Sequence, residues 1–271
     1  MGFVSIMVPL DLDPCSVERV TLAQTLAQAF SAQLIGVTAC EALPLRLYGK
    51  GAYINARIVQ EELERAARDF ARVEATFRNQ TADLARIGWH AQRGDLMATL
   101  MRRATAADLV IVSRPQQDGD SWCDCLDPGE LILRLGRPVL IVPNGISALS
   151  SRRIVIAWKD TREARRAVSD GLPFLAAAED IWIVAVDPEA SQEDTSTIAE
   201  FLAQHGISRI SMLFPPVSGT VTRTIIDTAR ECCADLIIAG AYGHSRLHER
   251  VFGSVTRQLL TQAPICCLMS H

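Results

Sequence analysis

The sequence predicts an α/β chain of two tandem units, each a five-stranded parallel sheet with helices on both faces. Three observations carry this expectation. Short runs of Ile and Val without polar alternation recur between longer segments of helical periodicity, the pattern of strands covered on both faces and linked by right-handed crossovers. The halves repeat each other: "SIMVPLD" (5–11) matches "IVIAWKD" (154–160), "AADLVIVS" (106–113) matches "CADLIIAG" (233–240), and "RPVLIVP" (137–143) matches "APICCLM" (263–269). Finally, 271 residues, 49% of them apolar, suffice for two ordinary cores.

The amino terminus "MGFVSIMVPLDLDP" has no basic region or small-residue cleavage site and is expected to form the first strand, closed by Asp11. The offset between copies is 149 residues at Asp11 and Asp160 but 127 at Ala107 and Ala234, so the first copy carries 22 more residues between these landmarks. They fall around "GAYINARIVQEELERAARDFARVEATFRNQ" (51–80), whose apolar spacing predicts a long amphipathic helix. In the second copy strands are expected at "RIVIAW", "DIWIVAV", "RISMLFP", "ADLIIAG" and "PICCLM". Helices are expected at "REARRAVSDGLPFLAAA", "TSTIAEFLAQHG", "TVTRTIIDTAREC" and "SVTRQLLTQ". The aperiodic "NGISALSS" (144–151) reads as a linker, giving domains 1–146 and 151–271.

Net charge is −4 with no Lys/Arg-rich run, which argues against nucleic-acid or acidic-membrane partners. Apolar runs fall short of the ~18 residues of a membrane span, so a cytoplasmic chain is expected. Six of the eight cysteines are Cys15, Cys40 and the pairs Cys232-Cys233 and Cys266-Cys267; each pair is expected to pack in the core as reduced thiols, with one neighbour pointing elsewhere.

Chemistry concentrates in "GAYGHSRLHERVFGS" (240–254), where G-x-x-G-x9-G-S follows the expected ninth strand and precedes a helix. Ligands of open parallel sheets bind beyond the carboxyl ends of the strands. Gly240 and Gly243 are expected to allow positive φ and close backbone approach to a ligand. Gly253 and Ser254 would offer amides and a hydroxyl at a helix N-terminus, a setting that suits phosphate. The same glycines could instead only shape a turn.

With Asp160 closing a first strand, this motif resembles that of the universal stress protein superfamily in its tandem form. "VIAWKDTREARRAV", "ADLIIAGAYGHSRLHERVFGSVTRQLL" and "LMSH" extend the similarity over the whole chain. The resemblance implies Rossmann-like, adenine nucleotide alpha hydrolase-like domains, and binding of ATP, with or without Mg2+, without efficient catalysis. It implies that Gly240, Gly243, Gly253 and Ser254 surround ribose and phosphates, that Asp160 lies near the nucleoside, and that Val186 and Asp187 hold adenine through backbone groups. Arg246 would pair with phosphate or remain a solvated loop cation. The family's dimers imply that the fifth strands of the two copies pair, making an intramolecular pseudo-dimer, with a homodimer as a further option.

The first copy departs from this pattern. Ser113 and Gln116 replace the first two glycines, Asp127-Pro128-Gly129-Glu130 stands at the helix start, and Asp118, Asp120, Asp124 and Asp127 repel an anion. The first copy is therefore not expected to bind ATP in the family manner.

Other constellations are weaker. Cys123 and Cys125, one residue apart, match neither a C-x-x-C redox pair nor a zinc knuckle. His244 and His248 have helical i, i+4 spacing but lack an HExxH context. No G-x-S-x-G elbow is present and Ser254 has no evident His-Asp partners. In "KDTREARRAV", Asp160 or Thr161 is expected to cap a helix whose arginines face solvent. With no evident general base, any ATP hydrolysis should be slow. A nucleotide-free interaction module and a cysteine redox sensor are the competing functions.

Overall fold

The computed structural model describes residues 2–40, 56–114, 126–186, 192–243 and 255–271. The first half runs β1 (Ser5–Pro9), α1 (Pro14–Phe30), β2 (Gln33–Cys40), α2 (Ala56–Gln80), β3 (Ile87–Arg93), α3 (Leu96–Arg103), β4 (Leu109–Ser113), α4 (Pro128–Leu135) and β5 (Val139–Val142). The second half runs β6 (Arg153–Ala157), α5 (Arg162–Leu175), β7 (Asp180–Val184), α6 (Gln192–Gln204), β8 (Ile210–Leu213), α7 (Val221–Glu231), β9 (Leu236–Gly240), α8 (Val255–Gln262) and β10 (Cys266–Ser270).

Local chemistry fixes the helix starts. The Asp13 carboxylate accepts from the Cys15 amide at 2.7 Å, with Pro14 pre-set at the first helical position of α1. Thr161, not Asp160, caps α5, its hydroxyl accepting from the Ala164 amide at 3.2 Å. Asp127 caps α4 through the Gly129 amide at 2.8 Å. The long helix α2 fills most of the expected segment, residues 51–55 of which lie outside the described residues.

All ten strands form one sheet in the order β3-β2-β1-β4-β5-β10-β9-β6-β7-β8. Pairing is parallel within each half. The halves join where β5 and β10 run antiparallel, with Leu140 opposite Leu268 and Ile141 opposite Cys267. In each half the chain winds outward from its first strand and then returns to the other side, so winding reverses between β1 and β4 and between β6 and β9.

Two apolar layers sandwich the sheet, and both cross the β5–β10 seam. One holds Ile6, Phe77, Leu140, Ile154, Phe174 and Leu268. The other holds Met7, Leu131, Ile141, Val155, Ile237 and Met269. Phe3 and Phe30 of the first half meet Phe174 of α5 edge-on, with ring centroids 5.2 and 5.6 Å from it. The segment 144–151 forms neither helix nor strand, but it is pinned: the Gly145 amide donates to Glu18 at 2.8 Å, and the Ser150 hydroxyl donates to Asp235.

Cys266 and Cys267 lie buried on opposite faces of β10. The expectation for the other pair needs correcting: Cys232 is only half-buried and Cys233 is exposed, because α7 ends there and Cys233 turns the chain with φ +50°. Among the described residues no helix is long and apolar enough to cross a membrane, and no three His, Cys, Asp or Glu side chains gather to hold a metal.

Candidate functional site

The two winding reversals create two equivalent crevices at the carboxyl ends of the strands, and they are built differently. In the first half, Arg19 of α1 is 2% exposed and lies across the crevice. Its guanidinium donates to the Pro9 carbonyl at 2.8 and 3.1 Å, to the Ser16 hydroxyl at 2.8 Å and to the Ser113 hydroxyl at 2.5 Å. Asp11 is buried beside it, 4.0 Å from the guanidinium, and accepts from the Ser16 hydroxyl and, at 3.1 Å, from the Asp13 amide. Ser113, which stands where the motif would have its first glycine, thus ties β4 to α1 through a buried cation. Arg19 escaped the sequence reading, although a signal was available: with Leu22, Ala23, Leu26 and Ala27 it lies on the stripe of α1 that faces the core.

In the second half each part of that plug is exchanged. Strand pairing shifts the register by one residue from the sequence match, since Ile6 pairs with Leu109 as Ile154 pairs with Leu236. Lys159, not Asp160, therefore stands where Asp11 does, Ala164 where Ser16 does and Ala167 where Arg19 does, while Gly240 stands where Ser113 does. Asp160 follows β6 at the crevice mouth, half-exposed, with both carboxylate oxygens held by Arg165 at 2.7 and 2.8 Å. The Arg165 hydrogen bond holds the Asp160 carboxyl below its ordinary value, against a smaller upward push from burial. Val186 follows β7 and is buried in the layer that also holds Ala239 and Ala241. Asp160, Val186, Gly240 and Gly243 therefore share one sheet edge, whereas Asp187, Arg246, Gly253 and Ser254 lie outside the described residues, as do His244, His248, Gln116, Asp118, Asp120, Cys123, Asp124 and Cys125.

The glycines behave differently from the expectation of positive φ. Neither Gly240 nor Gly243 adopts it; the left-handed residue of this loop is Tyr242, with φ +59°. Gly240 is needed for close packing of helix on strand. A Cβ there would lie 2.6 Å from the Glu163 carbonyl carbon and 2.8 Å from the Ala164 Cα, both in the first turn of α5. A Cβ on Gly243 would meet only side chains, Glu163 Oε2 at 3.0 Å and Thr161 Oγ1 at 3.2 Å. The loop is anchored at its start, where the Ala241 amide donates to the Ser270 carbonyl at 2.9 Å and the Tyr242 amide donates to the Thr256 hydroxyl at 3.1 Å.

Glu163, in the first turn of α5, lies beside these residues although the sequence analysis gave it no role. Its side chain is 3% exposed, with Oε1 bonded to Arg162 and Oε2 turned toward Gly243. Burial pushes its carboxyl up, but hydrogen bonds from Arg162 and from its own amide, with the Arg162 and His271 charges, bring it below the ordinary value. A negative charge therefore underlies the glycine loop.

A separate cleft of about 590 Å³ opens between the halves, lined by Phe3, Arg137, Arg166, Asp170, Leu172 and His205. It lies at the amino ends of β1, β4 and β5, away from the winding reversals. Its arginines bond the protein itself, Arg137 to the Ala104 carbonyl at 3.2 Å and Arg166 to the Gly136 carbonyl at 3.0 Å.

Residues 216–271 match the profile of the Universal stress protein family. The whole fold is similar to that of a universal stress protein from Archaeoglobus fulgidus, with a TM-score of 0.72 and 14% identity over 98% of this chain and 95% of that one. It is also similar to a functionally unknown protein from Pseudomonas aeruginosa, with a TM-score of 0.58 and 13% identity over 99% of this chain and 92% of the other. A sequence comparison with curated proteins finds no match.

Proposed function

We propose, for a chain whose residues 216–271 carry the universal stress protein signature and whose fold is shared with such a protein, that it is a tandem universal stress protein. In this reading the second half binds one ATP, as a regulatory rather than efficiently catalytic module of the cytoplasm. Gly243, Gly253 and Ser254 line the phosphates, Gly240 seats α5 against the strand behind them, Asp160 faces the ribose once Arg165 releases it, the backbone at Val186 receives adenine, and Arg246 reaches a phosphate. Bound Mg2+ would neutralise phosphate charge. The β5–β10 seam makes the chain its own pseudo-dimer, and a homodimer of whole chains is the further assembly that a sizing experiment would read.

The observation that carries this reading is the contrast between the crevices. The first is filled by Arg19, bonded to Ser113; the second has Ala167 and Gly240 at the matching positions. Slow chemistry follows from the carboxylates: Asp160 and Glu163 are each engaged by an arginine, so neither is poised to take a proton from water.

Equilibrium dialysis with ATP tests the proposal, with an expected stoichiometry of one nucleotide per chain that is lost in Gly243→Asp and Gly253→Asp. Two nucleotides per chain, or binding retained in both variants, overturns it. The competing nucleotide-free interaction module is favoured by one observation, the buried Glu163 carboxylate beneath the loop, which repels polyphosphate. No binding at millimolar ATP would select that alternative.

A further inference from the structure

Three contacts cross from the first half to the glycine loop and its helix. The Tyr242 hydroxyl occupies the space that a side chain on Gly129 would need, so a Cβ added there would run into it. Gly129 lies in the first turn of α4, whose cap Asp127 holds the Gly129 amide at 2.8 Å. On the other side, Arg114, the residue after β4, donates to the Ala263 carbonyl at 2.9 Å and so holds the carboxyl end of α8. Between these points α4 and α8 pack against each other.

We infer that Tyr242 is a positioning residue of the second-half site and that α4 of the first half is the platform that seats it. The inference rests on the nucleotide reading of that site. The geometry explains two departures together. Tyr242 lies between Gly240 and Gly243 with left-handed backbone, a conformation unfavourable for a bulky side chain unless its surroundings enforce it. Tyr242 is tied at its amide by Thr256, and its hydroxyl lies over Gly129. In turn, "DPGE" at the start of α4, which departs from the motif, places its glycine beneath that hydroxyl. The first half lacks the residues of a phosphate loop and has in their place a seat for Tyr242. Occupancy of the second crevice and the order of α4 are then coupled, each changing the other.

The test uses the full chain, with amide exchange by mass spectrometry over residues 126–135 and ATP affinity by equilibrium dialysis. Without nucleotide, Tyr242→Ala is expected to speed exchange across the first turn of α4; unchanged exchange overturns the seat. Gly129→Ala is expected to weaken ATP binding by at least about fivefold and to lower the melting temperature. The double variant Gly129→Ala with Tyr242→Phe removes the colliding hydroxyl and is expected to recover both. A Gly129→Ala chain that binds and melts like the parent, or one that Tyr242→Phe does not rescue, overturns the inference. A glycine that serves only the packing of α4 would recover the melting temperature alone, with ATP affinity unmoved in either variant, and that outcome overturns the positioning role. A parent chain that takes up no ATP overturns the nucleotide reading and the coupling, and the exchange comparison then decides the seat alone.

Discussion

Gly240→Ala is expected to destabilise the ligand-free chain by about 3 kcal/mol. The added methyl would lie 2.6 and 2.8 Å from backbone atoms of Glu163 and Ala164 and closer still to the Ala164 nitrogen, where no rotamer change can relieve the overlap. The first turn of α5 would have to withdraw, loosening the contacts of Ala164, Ala167 and Val168, all of them buried. At roughly 2–4 °C per kcal/mol for a chain of this size, the melting temperature falls by about 6–12 °C. Urea unfolding followed by tryptophan fluorescence, with calorimetry, reads the effect without any nucleotide. Gly243→Ala is the control: its neighbours are side chains that can shift, so the cost stays below about 1 kcal/mol. If Gly240→Ala unfolds at the parent's midpoint while ATP affinity falls, the glycine serves a ligand and the packing argument fails.

Arg19→Met leaves the buried Asp11 carboxylate and Pro9 carbonyl without their cation and should cost about 3–5 kcal/mol, read from the urea midpoint; a loss under about 1 kcal/mol would show that the crevice of the first half does not depend on it. Glu163 titrates below its ordinary value of 4.5 in the folded chain, so its contribution to stability is full above that pH and is lost as pH falls through the lower folded value. Glu163→Gln should flatten the acid limb of urea midpoints measured from about pH 7 to about pH 3, and an unchanged limb would remove Glu163 from the account. Burial pushes the Cys266 thiol up to about 12, and that of Cys267 up as well, so at about pH 8 a maleimide should label the exposed Cys233 and spare both until the chain unfolds. Rapid labelling of Cys266 in the native chain would contradict this.

Much of the architecture was legible because strands such as "ADLIIAG" and "RPVLIVP" carry their burial in composition, and because repetition exposed the second unit by comparison with the first. The repeat also pointed to one sheet edge, where Gly240 ends β9 and Asp160 follows β6, but the sequence match set the first strands one residue out of register, because only the strand pairing shows that Lys159 matches Asp11. What the sequence left hidden were contacts between elements distant along the chain. Gly240 looks like any ligand-loop glycine until α5 is seen against its Cα, and Arg19 looks like a helix-surface cation unless its place on the apolar stripe is counted. The left-handed Tyr242 has no local signature at all, since its conformation is set by Thr256 and by Gly129, more than a hundred residues earlier. Cys232 and Cys233 misled for the opposite reason: adjacency to apolar residues says nothing about where a helix ends.

The join between β5 and β10 bears on what the covalent chain is for. Hydrogen bonds and two shared apolar layers hold the halves, while residues 144–151 add anchors at Glu18 and Asp235 and pack Ile146 and Leu149 against one layer. A protease cut between Ala148 and Leu149 should leave the two fragments associated under native conditions, and separately synthesised pieces should find each other. In such a molecule the peptide connection acts chiefly by raising the local concentration of one piece around the other.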